Sequence, residues 1–170
     1  MANTYTPQTW TDGVSSASAA RLGVIETGVQ GAWARELGYT QFTANVSVTA
    51  TTEATANTIV TASAVSFDGS TAAVIEFFSP VSNPDPGGAG RSLVFWLYQD
   101  GTSIGQLGAM LTPAASTMIT PVRLARRMTP SSGSRTYSIR ATVSAGTGTV
   151  GAGAGGAGAV MPGFILITRA

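Results

Sequence analysis

From Gln41 onward, apolar and polar residues alternate with a period of two. In QFTANVSVTA, Phe42, Ala44, Val46 and Val48 share one phase, and threonine, asparagine and serine occupy the other. That is the pattern of a half-buried strand. Comparable runs follow: NTIVTASAV, TAAVIEFFS, RSLVFWLYQ, TSIGQLGAML, STMITPVRLARRM, SRTYSIRATVS and AVMPGFILITRA. Turn signals separate them at Asp68-Gly69, between Pro84 and Gly90, at Asp100-Gly101 and between Pro130 and Gly133. LVFWLYQDGTSIGQL is the strongest hairpin, with Asp-Gly at its tip. About eight strands in roughly 130 residues predict a mainly β, antiparallel jelly-roll sandwich. RSLVFWLYQ is apolar in both phases from Val94 to Leu97. Such a strand is covered on both sides, by the second sheet or by a neighbouring subunit.

Ahead of this domain, the period is different. Leu22, Ile25, Val29 and Trp33 are spaced by three, four and four, a stripe that continues to Leu37. The spacing predicts a short helix within residues 16–38, with N-cap oxygens from Ser15, Ser16 or Ser18. Gly23, Gly28 and Gly31 each cost such a helix about 1 kcal/mol relative to alanine. It therefore needs a packing partner, either its own domain or another chain. Residues 1–15 read as an extended arm, because Pro7 disfavours helix at Thr6 and Asp12-Gly13 supplies a bend. Tyr5 and Trp10 have no local core and are expected to dock on another surface. The sandwich is assigned to residues 39–170. Within it lies a Gly/Ala-rich loop over 145–159, AGTGTVGAGAGGAGA. That segment reads as a flexible linker, as a loop that lets backbones approach near a symmetry axis, or more remotely as silk-like stacking.

Composition narrows the chemistry. Only 10% of residues are charged, against about a quarter in ordinary domains. This suits tight turns and burial in an assembly. All nine basic residues are arginine and the net charge is +1. The densest cluster, Arg123, Arg126 and Arg127, falls short of the basic stripe that phosphate recognition requires, so no nucleic-acid partner is expected. No leader opens the chain and no apolar run approaches about 20 residues, so neither conventional secretion nor membrane spanning is expected. Histidine, cysteine and lysine are all missing. Their absence removes the Ser-His-Asp triad, the thiol nucleophile, the Schiff-base lysine, the phosphate-loop lysine and the imidazole or thiolate metal site. Carboxylate chemistry is left, with Asp68, Glu76, Asp85 and Asp100 as the candidates. Turn formation accounts for Asp68 and Asp100, which precede glycine. Asp85 lies in a proline-flanked loop, and an arginine salt bridge accounts for Glu76 in its apolar strand. No catalytic residue, metal ligand or cofactor is assigned.

Two resemblances add to this reading. YTPQTWTDGVSSASAARLGVIETGV, about 25 residues, resembles the N-terminal segment of tailed-bacteriophage virion proteins, including minor tail, fibre and head-appendage proteins. Tyr5, Pro7, Trp10, Asp12, Gly13, Ala20, Arg21, Leu22, Ile25, Glu26 and Gly28 carry the match. The second half resembles the trimeric jelly rolls of the complement and tumour-necrosis-factor type, through LVFWLYQDGTSIG, PVRLARRMTPSSGSRTYSIRATV and the C-terminal PGFILITR. In that family the terminal strand lies inside the sheet, and three subunits pack through aromatic and aliphatic faces. The collagen stalk or membrane anchor usual there is replaced here by the phage-like arm.

The resemblances imply a non-enzymatic virion structural protein, made in the host cytoplasm and carried on the virion surface. It is expected to be a homotrimer whose arm docks on the major capsid protein or on tail proteins. Tyr5, Pro7, Trp10, Leu22 and Ile25 are the expected attachment residues, and Trp96, Tyr98, Phe164 and Leu166 the expected trimer interface. One arm and one domain without a shaft favour capsid decoration or a head fibre. A minor tail protein, tail fibre or receptor-binding module is the alternative. A carbohydrate-binding module is a third reading, in which Trp33, Trp96 or Tyr98 stacks on a sugar such as a host-surface glycan. Trp96 and Tyr98, two apart on one strand face, fit core or trimer-axis aromatics better.

Overall fold

The computed structural model describes residues 23–29, 35–85, 87–113 and 118–170. Two compact units result, residues 1–35 and 36–170. In the first, residues 23–29 are helical, and Val24, Ile25 and Val29 are exposed. No helix among the described residues is long and apolar enough to cross a membrane. The arm, its Asp12-Gly13 bend, and the expected contacts Tyr5, Pro7, Trp10, Leu22 and Trp33 lie outside the described residues.

The described residues of the second unit form twelve strands: β1 (Glu36–Phe42), β2 (Val46–Val48), β3 (Asn57–Thr61), β4 (Val65–Phe67), β5 (Ala73–Asn83), β6 (Ser92–Gln99), β7 (Thr102–Leu111), β8 (Thr120–Met128), β9 (Gly133–Arg135), β10 (Tyr137–Val143), β11 (Gly148–Gly151) and β12 (Gly163–Arg169). One sheet runs β1-β12-β5, with β8 also paired to β5; β11 and β2 extend it, and a second sheet runs β3-β10-β6-β7. The short β4 and β9 form a separate ribbon. Numbered among themselves, the eight long strands give the orders 1-8-3-6 and 2-7-4-5. Two Greek keys wound in this way make a jelly roll. The C-terminal strand lies inside its sheet, between β1 and β5.

Alternation along the strands builds the core. Ile75 and Phe77 of β5, Ile165 and Ile167 of β12, Leu93, Phe95 and Leu97 of β6, and Ile139 and Val143 of β10 point inward and are buried. Phe77 meets Phe95 across the sandwich at 5.4 Å between ring centroids, and Phe42 stacks on Phe77 at 6.1 Å. The expected β6–β7 hairpin is present. Asp100 and Gly101 both have positive φ, at 50° and 82°, as the two central residues of a type I′ turn require.

Several boundaries differ from the sequence reading: NTIVTASAV and SRTYSIRATVS, each read as one strand, are split between β3 and β4 and between β9 and β10. Residues 36–38, expected to continue the helical segment, begin β1, which pairs with β12 from Glu36↔Thr168 to Phe42↔Gly163. Leu37 packs against the sandwich core rather than on a helix stripe, at an irregularity in the β1 register between Glu36 and Gly38. QFTANVSVTA, read as one strand, is split between β1 and β2, with Phe42 on the former and Val46 and Val48 on the latter. The 145–159 segment is not all loop, because β11 runs through it, pairing with β2 and β5 and burying Val150 completely. Glycine is needed at the end of that strand. A β-carbon on Gly151 would lie 2.8 Å from the Val81 carbonyl oxygen, closer than packing allows. β11 and β12 pair with successive parts of the same edge of β5. Pro80 sits between those parts, where the register with β8 also shifts, a tolerated place for a residue with no N–H to give the ladder.

Candidate functional site

The outward phase of the first sheet is unusually apolar. Reading across the strands, Gln41, Phe164, Phe78 and Arg123 form one row, and Tyr39, Leu166, Glu76 and Ala125 the next. Phe164 is the hub. Its ring centroid lies 5.4 Å from that of Tyr39 and 5.4 Å from that of Phe78. Phe78, Phe164 and Leu166 are half-buried, and Tyr39 keeps 44% of its surface exposed. Beside the rings, Glu76, Phe78, Arg123 and Phe164 line a shallow hollow of about 260 Å³. Arg123 Nε donates to Glu76 Oε1 at 2.8 Å. This hydrogen bond first, and the carboxylate's charge second, raise the Arg123 pKa above its ordinary value. The arginine bridge expected for Glu76 is therefore present, on the outer face and not within the core.

The four residues expected at a trimer interface do not share a face. Phe164 and Leu166 belong to this aromatic patch. Trp96 and Tyr98 stand on the outer side of the other sheet, because β6 turns Leu93, Phe95 and Leu97 inward. Trp96 is half-buried and donates its Nε1–H to Thr142 Oγ1 at 3.0 Å. Tyr98 is only 4% exposed. Its hydroxyl donates to the Glu53 carbonyl, and the Arg140 guanidinium covers its ring. Tyr98 is thus satisfied within its own chain and offers no open ring to a partner or a sugar. The outer cover expected for RSLVFWLYQ comes in part from this chain, from the 3-10 turn Glu53–Thr55 over Tyr98.

Tyr39 and Phe78 complete the patch and went unassigned in the sequence. The adjacent Phe77 and Phe78 in TAAVIEFFS carry the available signal, since an apolar pair fills both phases of a strand.

The candidate carboxylates are each held locally. Asp68 accepts from the Ser70 amide at 2.8 Å, the Thr71 amide at 2.7 Å and the Thr71 hydroxyl at 2.6 Å. These bonds hold its pKa far below the usual carboxylate range, the Thr71 hydroxyl contributing most. Asp100 accepts from the Thr136 amide at 2.8 Å and from Arg135 at 3.2 Å, and its pKa is likewise lowered, mainly by the Thr136 amide. Asp85 lies 3.6 Å from Arg91. The basic cluster is divided. Arg123 and Arg127 are in the outward phase of β8, whereas Arg126 is in the inward one and donates to the Ile104 carbonyl at 2.8 Å. Among the described residues, no three acidic, histidine or cysteine side chains come together as a metal site.

Fold and surface define the class: a jelly-roll β-sandwich with one aromatic outer face. No family model matches the sequence, and no curated protein matches it. Among solved structures, the chain is similar to a carbohydrate-binding module of Cellvibrio mixtus lichenase 5A in complex with cellotriose. Identity is 18%, 80% of this chain and 90% of that chain are covered, and the TM-score is 0.34. A likeness of that size carries no argument about function.

Proposed function

We propose that this chain is a non-enzymatic virion structural protein of a tailed bacteriophage, a homotrimeric capsid decoration or head-fibre protein. The virion part of the reading rests on the resemblance of residues 5–29 to phage appendage segments. The oligomeric part rests on one observation, the Tyr39–Phe164–Phe78 face with Leu166 beside it. Large apolar groups half-open to water on a sheet face are the ordinary mark of a surface that another chain covers. The second copy supplies that cover around a three-fold axis, with the C-terminal strand β12 nearest to it. Phe164 and Leu166 are the interface residues in this account, and Trp96 and Tyr98 are not.

Light scattering on the purified chain tests the assembly, with a trimer expected at micromolar concentration and a monomer contradicting it. Cryo-electron microscopy of intact particles tests the placement. Density on the head is expected, whereas density on the tail makes the protein a minor tail or fibre component instead. Deleting residues 1–15 is expected to leave a folded trimer that no longer joins the particle. Decoration by the truncated chain contradicts the role given to the arm.

A further inference from the structure

A second concavity lies on the outer side of the β3-β10-β6-β7 sheet, away from the aromatic face. Its volume is about 520 Å³, and Thr52, Glu53, Tyr98, Gly101, Ser103 and Arg140 line it. It is broad and open to solvent, so a ligand there is held by directed polar contacts and not by enclosure. Tyr98 organises it from below. The Arg140 Cζ rests 4.1 Å from the centroid of the Tyr98 ring, and the Tyr98 hydroxyl holds the carbonyl of Glu53. One buried ring therefore positions both the cation and the 3-10 turn that bears the carboxylate.

Arg140 is well supported and yet unpaired. Arg91, Arg123 and Arg135 each face a carboxylate, whereas Arg140 makes no ion pair among the described residues. Its Nε finds no acceptor among the described residues and is buried out of a ligand's reach, so the terminal guanidinium nitrogens are the ones left to make a contact. A guanidinium fixed on an aromatic ring is suited to two-pronged binding of a planar carboxylate. Glu53 restricts the choice further. Its negative charge opposes a multiply charged anion such as phosphate, but its oxygens can accept hydrogen bonds from hydroxyl groups. Ser103 Oγ accepts from the Gly105 amide at 3.3 Å and Thr52 Oγ1 is hydrogen-bonded to Thr55 Oγ1 at 2.8 Å, and each hydroxyl keeps further hydrogen-bonding capacity beyond that bond. Tyr98 has no open ring face, so charge and hydrogen bonding, not stacking, must supply the affinity.

We infer that this cavity binds an acidic sugar, a pyranose with one carboxylate and neighbouring hydroxyls. Arg140 receives the carboxylate, and Glu53, Ser103 and Thr52 receive the hydroxyls. The site lies on the sheet opposite the aromatic face, so its occupancy can be measured in monomer or trimer alike and does not rest on the virion reading.

The test is titration of the full chain, followed by calorimetry and amide NMR, with D-glucuronate, N-acetylneuraminate, D-glucose and acetate. At least one acidic sugar is expected to bind in the millimolar range and shift the Gly101, Ser103 and Arg140 amides; the stronger of the two identifies the source. Glucose lacks the charge and acetate lacks the hydroxyls, so each is expected to bind at least about tenfold more weakly. Arg140→Gln is expected to abolish binding. Ser103→Phe, which keeps Arg140 and fills the cavity, is expected to do the same, and it decides the matter if Arg140→Gln fails to fold. No binding of either acidic sugar at tens of millimolar overturns the inference. So does acetate binding as tightly as the sugars, or unchanged binding by folded Ser103→Phe.

Discussion

Replacing Phe164 by serine separates the stability of one subunit from the cohesion of three. Within its own chain Phe164 packs on Tyr39 and on Phe78, each at 5.4 Å between centroids. Aromatic pairs of this kind contribute about 0.5–1.5 kcal/mol each beyond area burial, and the buried half of the ring adds about 1 kcal/mol, so Phe164→Ser removes roughly 2–4 kcal/mol from the fold itself. That loss occurs whether the subunit is alone or assembled. A second loss exists only if the face is an interface. Covering the part of the ring still open to water is worth about 1 kcal/mol per subunit. Three equivalent copies lose about 3 kcal/mol together, or roughly 10²-fold in the trimer dissociation constant. The assay is light scattering over a dilution series, beside thermal melts at matched concentrations. Trp96→Ser is the control, because Trp96 lies on the outer side of the opposite sheet. Phe164→Ser is expected to move both the melt and the dissociation midpoint, and Trp96→Ser to leave the midpoint alone. Coincident dissociation curves for Phe164→Ser and the wild type refute the interface, and so does equal loosening by Trp96→Ser.

Two further outcomes test the fold. A β-carbon on Gly163 would run into the Phe42 ring and lie 2.9 Å from the Phe78 carbonyl oxygen, while Phe42 is held by its stack on Phe77. Overpacking at about 1–3 kcal/mol, offset by the 0.4–1 kcal/mol that Gly→Ala saves in chain entropy, leaves Gly163→Ala destabilised by roughly 1–2 kcal/mol in urea melts. Adding Phe42→Leu should recover part of this, and strictly additive losses contradict the contact. Asp68, whose folded pKa is depressed by Thr71 and Ser70, contributes stability that is fully present above the unfolded value near 4 and falls away below it. Asp68→Asn should therefore be less stable than the wild type at pH 6, with the difference shrinking as the pH falls through 4 and below. A constant difference from pH 6 to pH 2 contradicts the account.

The strands that face one sheet with apolar residues and water with polar ones were legible in the sequence. β8 and β10 fall on runs with a two-residue period, β5, β6 and β12 on runs apolar in both phases between turn signals, and the Asp100-Gly101 turn follows from a dipeptide that tolerates two positive φ values. The illegible elements are those whose pairing is decided far away in sequence. Glu36–Phe42 forms β1 because β12, more than a hundred residues later, presents a ladder to it. Its Leu37 also fits the helical stripe that begins at Leu22, so spacing alone could not end the helix. GTVG forms β11 because β2 and β5 leave room for a strand almost without side chains. Its composition resembles a linker for the same reason that it fits, since a side chain on Gly148 or Gly151 would collide with Val143 or Val81.

The surface sites were legible in kind and not in position. An apolar residue in the outward phase says that a strand is covered on both sides, and both β6 and β12 carry that signature. It does not say what covers them. For Tyr98 the answer lies within the chain: a 3-10 turn contributed by Glu53–Thr55 and an arginine from the neighbouring β10. For Phe164 the rings in contact among the described residues are Tyr39 and Phe78, which stand half-open themselves. Two strands with the same pattern thus differ in what remains for another molecule. Arg140 shows the complementary case. Nothing in SRTYSIRATVS separates it from the paired Arg135 five residues earlier. Pairing places it opposite Trp96 and beside Tyr98, and only that position turns an ordinary strand arginine into a cation above a hollow with no ion pair among the described residues.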